Sequence, residues 1–436
     1  EWADEGGSWN QLGNDIDGEA NFDRSGWSVS MNSDGTRVAI GAVNNDDGPG
    51  NDSGLVRIYQ YSSGSWTKLG ADIVGEADGD ESGVSVSMNS DGTRVAIGAH
   101  YNDGNGGNNR GHVRVYEYNG SAWSQLGADI DGEAAGDRSG FSVSMNSDGT
   151  IVAIGARDNY VPGSNSGHVK VYEYSGGSWS QLGADIDGEA SDDYSGWTVS
   201  LSNDGKILAI GAPYNDAGFG GNANRGHVRI YEYNGSAWTQ LGSDIDGEAG
   251  ANFSGYSVSL SSDGTRVAIG AIGNDDGPGN DSGHVRIYEY NGSAWTQLGG
   301  DIDGEADDDQ SGYSVSLNSD GTIVAIGAPY NNNRGHVRIY QYISGSWAQL
   351  GLDIEGEDSS DSNGHSVSLS SDGTRVAIGA PNNDVESGNN RGHVRVYNLS
   401  GGGHADTATK LSGITNSNIV QLTDTQTLTN KTLTSP

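Results

Sequence analysis

The sequence predicts an all-β protein, a seven-bladed β-propeller built from four-stranded antiparallel blades. One ten-residue sequence, SDGTRVAIGA or a close variant, recurs seven times at intervals of 52 to 59 residues. A period of this length with strand-like content is typical of a repeat array. Because only 33% of the residues are apolar, one repeat cannot bury a core, and neighbouring repeats must share one. The copies are 33–42, 90–99, 147–156, 203–212, 262–271, 319–328 and 371–380.

Each repeat carries the pattern of four strands, as the second repeat illustrates. Residues 83–88 alternate apolar and small polar side chains, and residues 93–99 form a nearly continuous apolar run. Alternation is typical of a half-buried strand, and a continuous run is typical of a strand buried on both faces. A third strand is predicted at 111–118, and Asn119-Gly120 then signals a hairpin into a fourth strand at 122–130. Nothing in the repeat predicts a helix.

A tryptophan recurs in the fourth strand of the repeat, but the series of tryptophans starts before the first blade and ends before the last one. Trp9 precedes the first blade, and no Trp follows Tyr397 in the last one. We therefore expect residues 8–17 to supply the outer strand of the blade formed by 364–399, which closes the ring and removes an unpaired edge. The propeller domain is predicted at 1–400, and 401–436 is predicted to be a linker and a Thr-rich extended β-type tail. The predicted blades are 24–75, 81–132, 138–188, 194–247, 253–304, 310–356 and 362–399 plus 8–17.

The composition restricts the partners. The net charge is −37, from 59 acidic residues against 22 Lys plus Arg, and such a surface repels phosphate backbones and anionic lipids. We therefore expect no nucleic-acid partner. No apolar run approaches the roughly 20 residues of a membrane span, so no membrane insertion is expected. The chain begins without Met, and we expect it to be a segment of a longer or processed polypeptide.

The end of the second strand carries a family resemblance. Gly-Ala-Pro stands at 211–213, 327–329 and 379–381, the other copies keep Gly-Ala, and the Phe-Gly element appears as Ser-Gly, for example at Ser25-Gly26. Residues 8–399 thus resemble the FG-GAP repeat of integrin α-like propellers, which is also found in microbial surface proteins. The calcium loop of that family lies between the first and second strands, where this chain has only Asn32-Ser33-Asp34-Gly35. One carboxylate cannot supply 6–8 oxygen ligands, so the integrin-type site is not expected. The tail at 425–436 resembles segments of marine bacteriophage tail-fibre and other virion proteins.

An acidic motif, Asp-Ile-Asp-Gly-Glu-Ala followed by another Asp, ends several fourth strands. Oxygen ligands at alternate positions suit a hard cation such as Ca²⁺. The alternative is that these charges protect the outermost strands from edge-to-edge aggregation. The candidate metal ligands are Asp15, Asp17, Glu19, Asp23, Asp129, Asp131, Glu133, Asp137, Asp185, Asp187, Glu189 and Asp193.

The loops between second and third strands vary most from blade to blade. Binding residues concentrate on such loops over a rigid scaffold. The alternative is neutral variation of loop length. The candidate binding residues are Asp46, Asp47, Asn102, Asp103, Tyr160, Phe219, Asp275 and Asp276.

Histidines in the repeat predict packing rather than chemistry. Six of them share one repeat position, and Leu55 takes the seventh. The unrepeated His100, His365 and His404 have no nucleophile or carboxylate constellation that the sequence assembles. We therefore predict that the chain is not an enzyme.

The predicted function is a non-enzymatic structural or attachment module, extracellular on a virion or cell surface and resembling a tail fibre. Its acidic loop-rich face would contact a surface receptor or glycan, and residues 401–436 would join a second copy or a fibre partner. The alternative is a bacterial cell-surface adhesin or a calcium-dependent carbohydrate-binding lectin.

Overall fold

The computed structural model describes residues 7–400 except 105–107, 217–222, 276, 278 and 385–388. Over these residues the predicted fold is confirmed, because the strands form seven separate antiparallel sheets. The first strand of each blade contacts the first strands of both neighbouring blades, which closes the ring. Within the described part of the chain no helix is long and apolar enough to span a membrane. The predicted tail at 401–436 lies outside the described residues.

The strands follow one order in every blade. The chain begins with two strands of blade 7, β1 (Ser8–Gln11) and β2 (Ile16–Asp17). Blades 1 to 3 contain β3 (Ser25–Met31), β4 (Arg37–Ala42), β5 (Leu55–Ser62), β6 (Ser65–Lys68), β7 (Ile73–Val74), β8 (Ser85–Met88), β9 (Arg94–Ala99), β10 (His112–Tyr118), β11 (Trp123–Gln125), β12 (Ile130–Asp131), β13 (Ser142–Met145), β14 (Ile151–Ala156), β15 (His168–Ser175), β16 (Ser178–Gln181) and β17 (Ile186–Asp187). Blades 4 and 5 contain β18 (Thr198–Leu201), β19 (Ile207–Ala212), β20 (His227–Tyr233), β21 (Trp238–Gln240), β22 (Ile245–Asp246), β23 (Ser254–Leu260), β24 (Arg266–Ala271), β25 (His284–Tyr290), β26 (Trp295–Gln297) and β27 (Ile302–Asp303). Blade 6 and the rest of blade 7 contain β28 (Ser314–Leu317), β29 (Ile323–Ala328), a 3₁₀ turn (Asn331–Asn333), β30 (His336–Ile343), β31 (Ser346–Gln349), β32 (Ile354–Glu355), β33 (Ser366–Leu369), β34 (Arg375–Ala380) and β35 (His393–Ser400).

The predicted fourth strand is interrupted. In blade 2 it divides into β11 and β12, which both pair with β10. Gly127 between them has a φ of +80°, a conformation that suits glycine and breaks the ladder. The interruption turns the carbonyl of Leu126 toward the next blade, where it accepts a hydrogen bond from Trp179.

The hydrophobic core lies between neighbouring blades rather than inside each one. Blade 1 contributes Val56 and Ile58 to one cluster, and blade 2 contributes Val95 and Ile97. These four side chains are at most 1% exposed. Sharing a core in this way removes the apolar faces of thin sheets from water, which is the main favourable term in folding.

The tryptophan series links every blade to the one before it. Each indole Nε1 donates to a leucine carbonyl of the preceding blade at 2.7–2.8 Å, and Trp9 of β1 donates to Leu350. As predicted, β1 pairs with β35, from Ser8 opposite Ser400 to Gln11 opposite Tyr397. The first described strand therefore completes the last blade.

The narrow face of the ring, opposite the long loops, is closed by backbone hydrogen bonds. One turn residue of each blade donates its N–H to the carbonyl of the next, at 2.8–3.0 Å. The circle runs through Ser33, Ser90, Ser147, Asn203, Ser262, Ser319 and Ser371 and returns to Ser33.

Candidate functional site

Aromatic side chains surround the ring axis on the face that carries the long loops. They occupy one repeat position, directly after a glycine with φ of +85° to +95°. Ring centroids of neighbouring members lie 4.5–5.3 Å apart, a spacing at which aromatic pairs attract each other. All seven side chains at this position are half-buried. We call these seven residues, of which all but Val84 are aromatic, the axial ring: Trp27, Val84, Phe141, Trp197, Tyr256, Tyr313 and His365.

The repeat breaks at two positions beside the axial ring. After the conserved Gly-Ala of the second strand, blades 2 and 3 place His100 and Arg157, whereas blade 1 has Val43. Two residues before the ring glycine, blades 2 and 3 place Glu81 and Arg138. The chain thus gathers charged and ionisable side chains in adjacent blades at positions that are apolar or neutral elsewhere in most blades.

The second of these positions has a strained backbone in every blade. Its φ is 51° to 58° although none of its residues is glycine. Backbones of this kind are uncommon and concentrate at functional sites. The residues are Arg24, Glu81, Arg138, Tyr194, Phe253, Gln310 and Ser362.

Five side chains of blades 2 and 3 form what we call the mouth cluster: Glu81, His100, Arg138, Arg157 and Asp158. Nε2 of His100 lies 3.8 Å from Oε2 of Glu81. Asp158 is shared by the two arginines, with Oδ2 at 3.0 Å from Nη1 of Arg138 and 3.5 Å from Nε of Arg157. The cluster therefore holds a carboxyl group and a cationic pair on neighbouring blades.

The axial ring connects the two halves of the mouth cluster. The guanidinium of Arg157 lies 3.6 Å from the ring centroid of Phe141 and 4.4 Å from that of Trp197. His100 meets Phe141 edge-on, with ring centroids 5.6 Å apart. Stacking of this kind orients a guanidinium while leaving its edge free for hydrogen bonds.

Burial shifts the pKa values of two mouth-cluster side chains, Glu81 and His100, toward their neutral forms. Burial, and to a lesser extent the negative charge of Asp52, raises the pKa of Glu81 to about 7. Burial, with Arg157 and Arg138, lowers the pKa of His100 to about 3. At neutral pH Glu81 can therefore either accept or donate a proton, and His100 is a neutral imidazole.

A cavity of about 480 Å³ opens beside Arg157, between blades 3 and 4. Its size suits a small organic ligand. Cationic and aromatic side chains line one part of it, and carboxylates and an amide line another. The lining includes Arg138, Arg157, Asp158, Tyr194, Trp197 and Tyr214.

The structure distributes the candidate metal ligands over different surroundings. In the first copy, Asp15 and Asp17 lie with His393 of blade 7, whereas Glu19 pairs with Arg57 of blade 1. The last acid of the motif is buried and caps its own loop: Asp23, Asp137 and Asp193 accept hydrogen bonds from the backbone N–H of Ala20, Ala134 and Ala190. The structure thus does not bring the four acids of one motif together.

The other candidate ligands divide in the same way. The aspartates that precede the second segment of the divided fourth strand lie beside the histidine of their own blade. The glutamate of each motif lies beside the histidine of the next blade. Asp131 and Asp187 end β12 and β17 with exposed side chains. The groups contain Asp129 with His112, Glu133 and Asp185 with His168, and Glu189 with His227.

Three candidate binding residues hold their own loops. Asp46, Asp103 and Asp275 accept backbone hydrogen bonds from Asp52, Asn109 and Asp281 six residues later. Two others have side-chain partners, and one is exposed: Asp47 pairs with Arg57, Asn102 donates to Asp80, and Tyr160 is 59% exposed. Phe219 and Asp276 lie outside the described residues.

Comparison with known proteins supports the fold. No family model matches the chain, and no curated protein matches it. Among solved structures it is similar to a candidate 6-phosphogluconolactonase from Bacteroides uniformis (12% identity, 77% of this chain and 87% of that chain, TM-score 0.53). It is also similar to one from Bacteroides fragilis (13% identity, 77% and 85%, TM-score 0.51) and to a periplasmic gluconolactonase from Pseudomonas aeruginosa (14% identity, 76% and 86%, TM-score 0.50). At these identities the likeness shows a shared fold.

These findings correct two predictions made from the sequence. The similar propellers carry the names of enzymes, which contradicts the prediction of a non-enzymatic attachment module and the prediction that the chain is not an enzyme. The prediction rested on finding no cluster that breaks the repeat. Aligning the seven copies gives the missing signal. At the position of His100 only blades 2 and 3 carry an ionisable residue, and at the position of Glu81 the charged residues lie in blades 1 to 3.

Proposed function

We propose that this protein is a hydrolase that opens a lactone, a cyclic ester, at the mouth cluster. The names of the similar propellers supply the substrate class, since each is a lactonase by name. The observation that carries the proposal is the position of Glu81, whose carboxyl has a pKa of about 7 and lies in the same sector as two arginines. The adjoining cavity provides room for the substrate.

The residues suggest how the reaction proceeds. Glu81 in its ionised form takes a proton from water, and the hydroxide attacks the carbonyl carbon of the lactone. Arg138 and Arg157 supply positive charge for the oxygen anion that forms. When the ring C–O bond breaks, the alkoxide leaving group takes the proton back from Glu81. The product is a hydroxy acid, and Glu81 returns to its starting state.

The test measures acid release from D-glucono-1,5-lactone and its 6-phosphate by the full chain at pH 7.5, after subtraction of spontaneous hydrolysis. We expect Glu81→Gln to lower kcat/KM by at least about 100-fold, the typical contribution of a general base. The variant should fold, because Gln310 occupies the equivalent position of blade 6 with nearly the same φ, 52° against 51°.

Glu173→Gln is the matched control. It makes the same chemical change in β15, and Gln60 and Gln341 occupy its repeat position in blades 1 and 6. Activity of this control should equal that of the unmodified protein. No enzymatic acid release on either lactone, or equal activity of the Glu81 and Glu173 variants, would refute the proposed function.

We further infer, with the sequence as the only support, that the repeat is of the FG-GAP type. In its Gly-Ala-Pro sequences, Gly and Ala end β19, β29 and β34 and Pro follows, at the edge of the same face as the mouth cluster. The domain division at residue 400, an extracellular location and association through 401–436 also stay as proposals. The resemblance of the tail to virion proteins concerns residues outside the described part of the chain.

A further inference from the structure

A buried histidine meets two carboxylates at the interface between blades 5 and 6. His336 begins β30 and is 1% exposed. Its Nδ1 lies 3.9 Å from Oε2 of Glu305 and 3.9 Å from Oδ2 of Asp353. Glu305 follows β27 of blade 5, and Asp353 precedes β32 of blade 6. We call these three residues the interblade triad.

The ring nitrogen of His336 that faces the two carboxylates has no hydrogen bond to any residue that the structure describes. Within the described residues its Nδ1 has no hydrogen-bond partner, and 3.9 Å is too long for a hydrogen bond. Ionised carboxylates only accept hydrogen bonds. Burial, and then the nearby Arg338, lower the pKa of His336 to about 4, so the ring is neutral at pH 7. In the tautomer that carries its proton on Nε2, Nδ1 offers a lone pair. Three electron-pair donors then converge, an arrangement that a cation between them would stabilise.

The remaining oxygens of the two carboxylates are held by other side chains. Oε1 of Glu305 lies 3.3 Å from Nη1 of Arg338. Oδ1 of Asp353 accepts a hydrogen bond from Nε2 of Gln349 at 2.5 Å. Partners of this kind orient metal ligands in known sites. Two atoms that each lie about 2.0–2.2 Å from one ion can be at most about 4.4 Å apart, and the two 3.9 Å distances satisfy that limit.

We propose that the interblade triad binds a divalent metal ion of the Zn²⁺ class and thereby joins blade 5 to blade 6. Zn²⁺ accepts imidazole nitrogen together with carboxylate oxygen, whereas Ca²⁺ takes oxygen ligands. Glu305 and Asp353 have side chains that are 47% and 28% exposed, so water can complete the coordination.

Blade 4 repeats the arrangement. Nδ1 of His227 lies 3.9 Å from Oε2 of Glu189 and 3.9 Å from Oδ2 of Asp244. These three ligand atoms lie within 4.8 Å of one another. The same residue types with the same distances in a second blade indicate a repeated site rather than a local accident of packing.

Blade 3 offers a natural contrast. Lys170 replaces the arginine there, and its Nζ contacts the carboxylate of Glu133 and lies 3.6 Å from Oδ2 of Asp185. One ammonium group thus already lies against both carboxylates that face His168. We therefore expect that group to bind no metal ion.

The experiment counts zinc ions in the full chain. The protein, produced without a polyhistidine tag, is stripped with a chelator, equilibrated with ZnCl₂ at pH 7.5, and analysed for bound zinc by mass spectrometry of the metal and by calorimetric titration. His336→Leu is the test variant, because Leu55 fills the equivalent position of blade 1 with 0% exposure. His168→Leu is the matched control. Glu305→Gln is a second test that keeps the buried imidazole.

We expect His336→Leu and Glu305→Gln each to lose about one zinc ion per chain and His168→Leu to lose none. Thermal unfolding without zinc checks that all variants fold. If His336→Leu does not fold, the zinc content of Glu305→Gln decides the test. The proposal is overturned if the unmodified chain binds no zinc, if the folded test variants keep its full zinc content, or if the control loses as much as the test variants. Lactone hydrolysis plays no part in this readout, so the proposed function stands or falls separately.

Discussion

Replacing Glu81 with glutamine should stabilise the protein at alkaline pH while removing its proposed activity. The carboxyl is largely buried, with 28% of the side chain exposed, and its pKa rises from 4.5 to about 7 on folding. The folded protein thus binds the proton more tightly than the unfolded chain. Folding is favoured where both states are protonated, and this contribution is lost as the pH rises from 4.5 to about 7.

The size of the effect follows from the two pKa values. Each pKa unit corresponds to about 1.4 kcal/mol of differential stability. Between pH 5 and pH 8, ionisation of Glu81 should lower the free energy of unfolding by roughly 2–3 kcal/mol, given the shift to about 7. Glutamine does not ionise, so the difference between the Glu81→Gln variant and the unmodified protein should grow in favour of the variant by that amount. Most of the growth should occur below pH 7, and it should level off above it.

Urea unfolding at pH 5, 6, 7 and 8 measures this difference. The titrations of other groups cancel in the comparison, and the Glu173→Gln control should give a difference that does not change with pH. A constant difference for Glu81→Gln over the same range would refute the assignment of the raised pKa to this carboxyl. A variant that becomes less stable with rising pH would refute the sign of the linkage.

Two further predictions concern the ring itself. Trp9→Phe should lower the free energy of unfolding by about 1–3 kcal/mol in urea titrations, because the buried carbonyl of Leu350 loses its donor at 2.8 Å; unchanged stability would contradict the role of this bond in closure. Gly98→Ala should prevent soluble folding, because the added Cβ would lie 2.0 Å from the carbonyl oxygen of Gly140 in the next blade. The control is Gly120→Ala, since Gly120 has a φ of +97° but open space around it. This control should fold, with a loss of about 1 kcal/mol in the free energy of unfolding. Equal solubility and equal thermal midpoints of the two glycine variants would show that the close approach between blades is not limiting.

The sequence was sufficient for the fold because every blade repeats the same local signals. Alternating side chains, a turn such as Asn89–Gly92 and a buried second strand identify a blade without knowledge of its neighbours. The position of Trp9 ahead of the first blade then predicted the pairing of β1 with β35. The interruption of the fourth strand was missed because it depends on a contact from the next blade, the indole of Trp179 at the carbonyl of Leu126.

The candidate sites were harder to predict because their residues meet only across blade interfaces. Glu81 and Arg138 are 57 positions apart in the sequence, and a search within one repeat does not join them. The same is true of His336 and Glu305, which belong to successive blades. The surroundings of His336 show the same limit, because one of the acids it faces, Asp353, belongs to its own blade and the other, Glu305, belongs to the preceding one.

The pairing of β1 with β35 has a mechanical consequence. Ser8 and Ser400 lie opposite each other at one end of the ladder, with their hydroxyl oxygens 3.2 Å apart. Tension applied between these two residues would pull the strands apart one hydrogen bond at a time, like opening a zipper, instead of loading all the bonds together. Each of the other six blades is formed by one continuous stretch of the chain, whereas blade 7 joins the two ends. The ring would therefore open first between β1 and β35 and then unfold blade by blade.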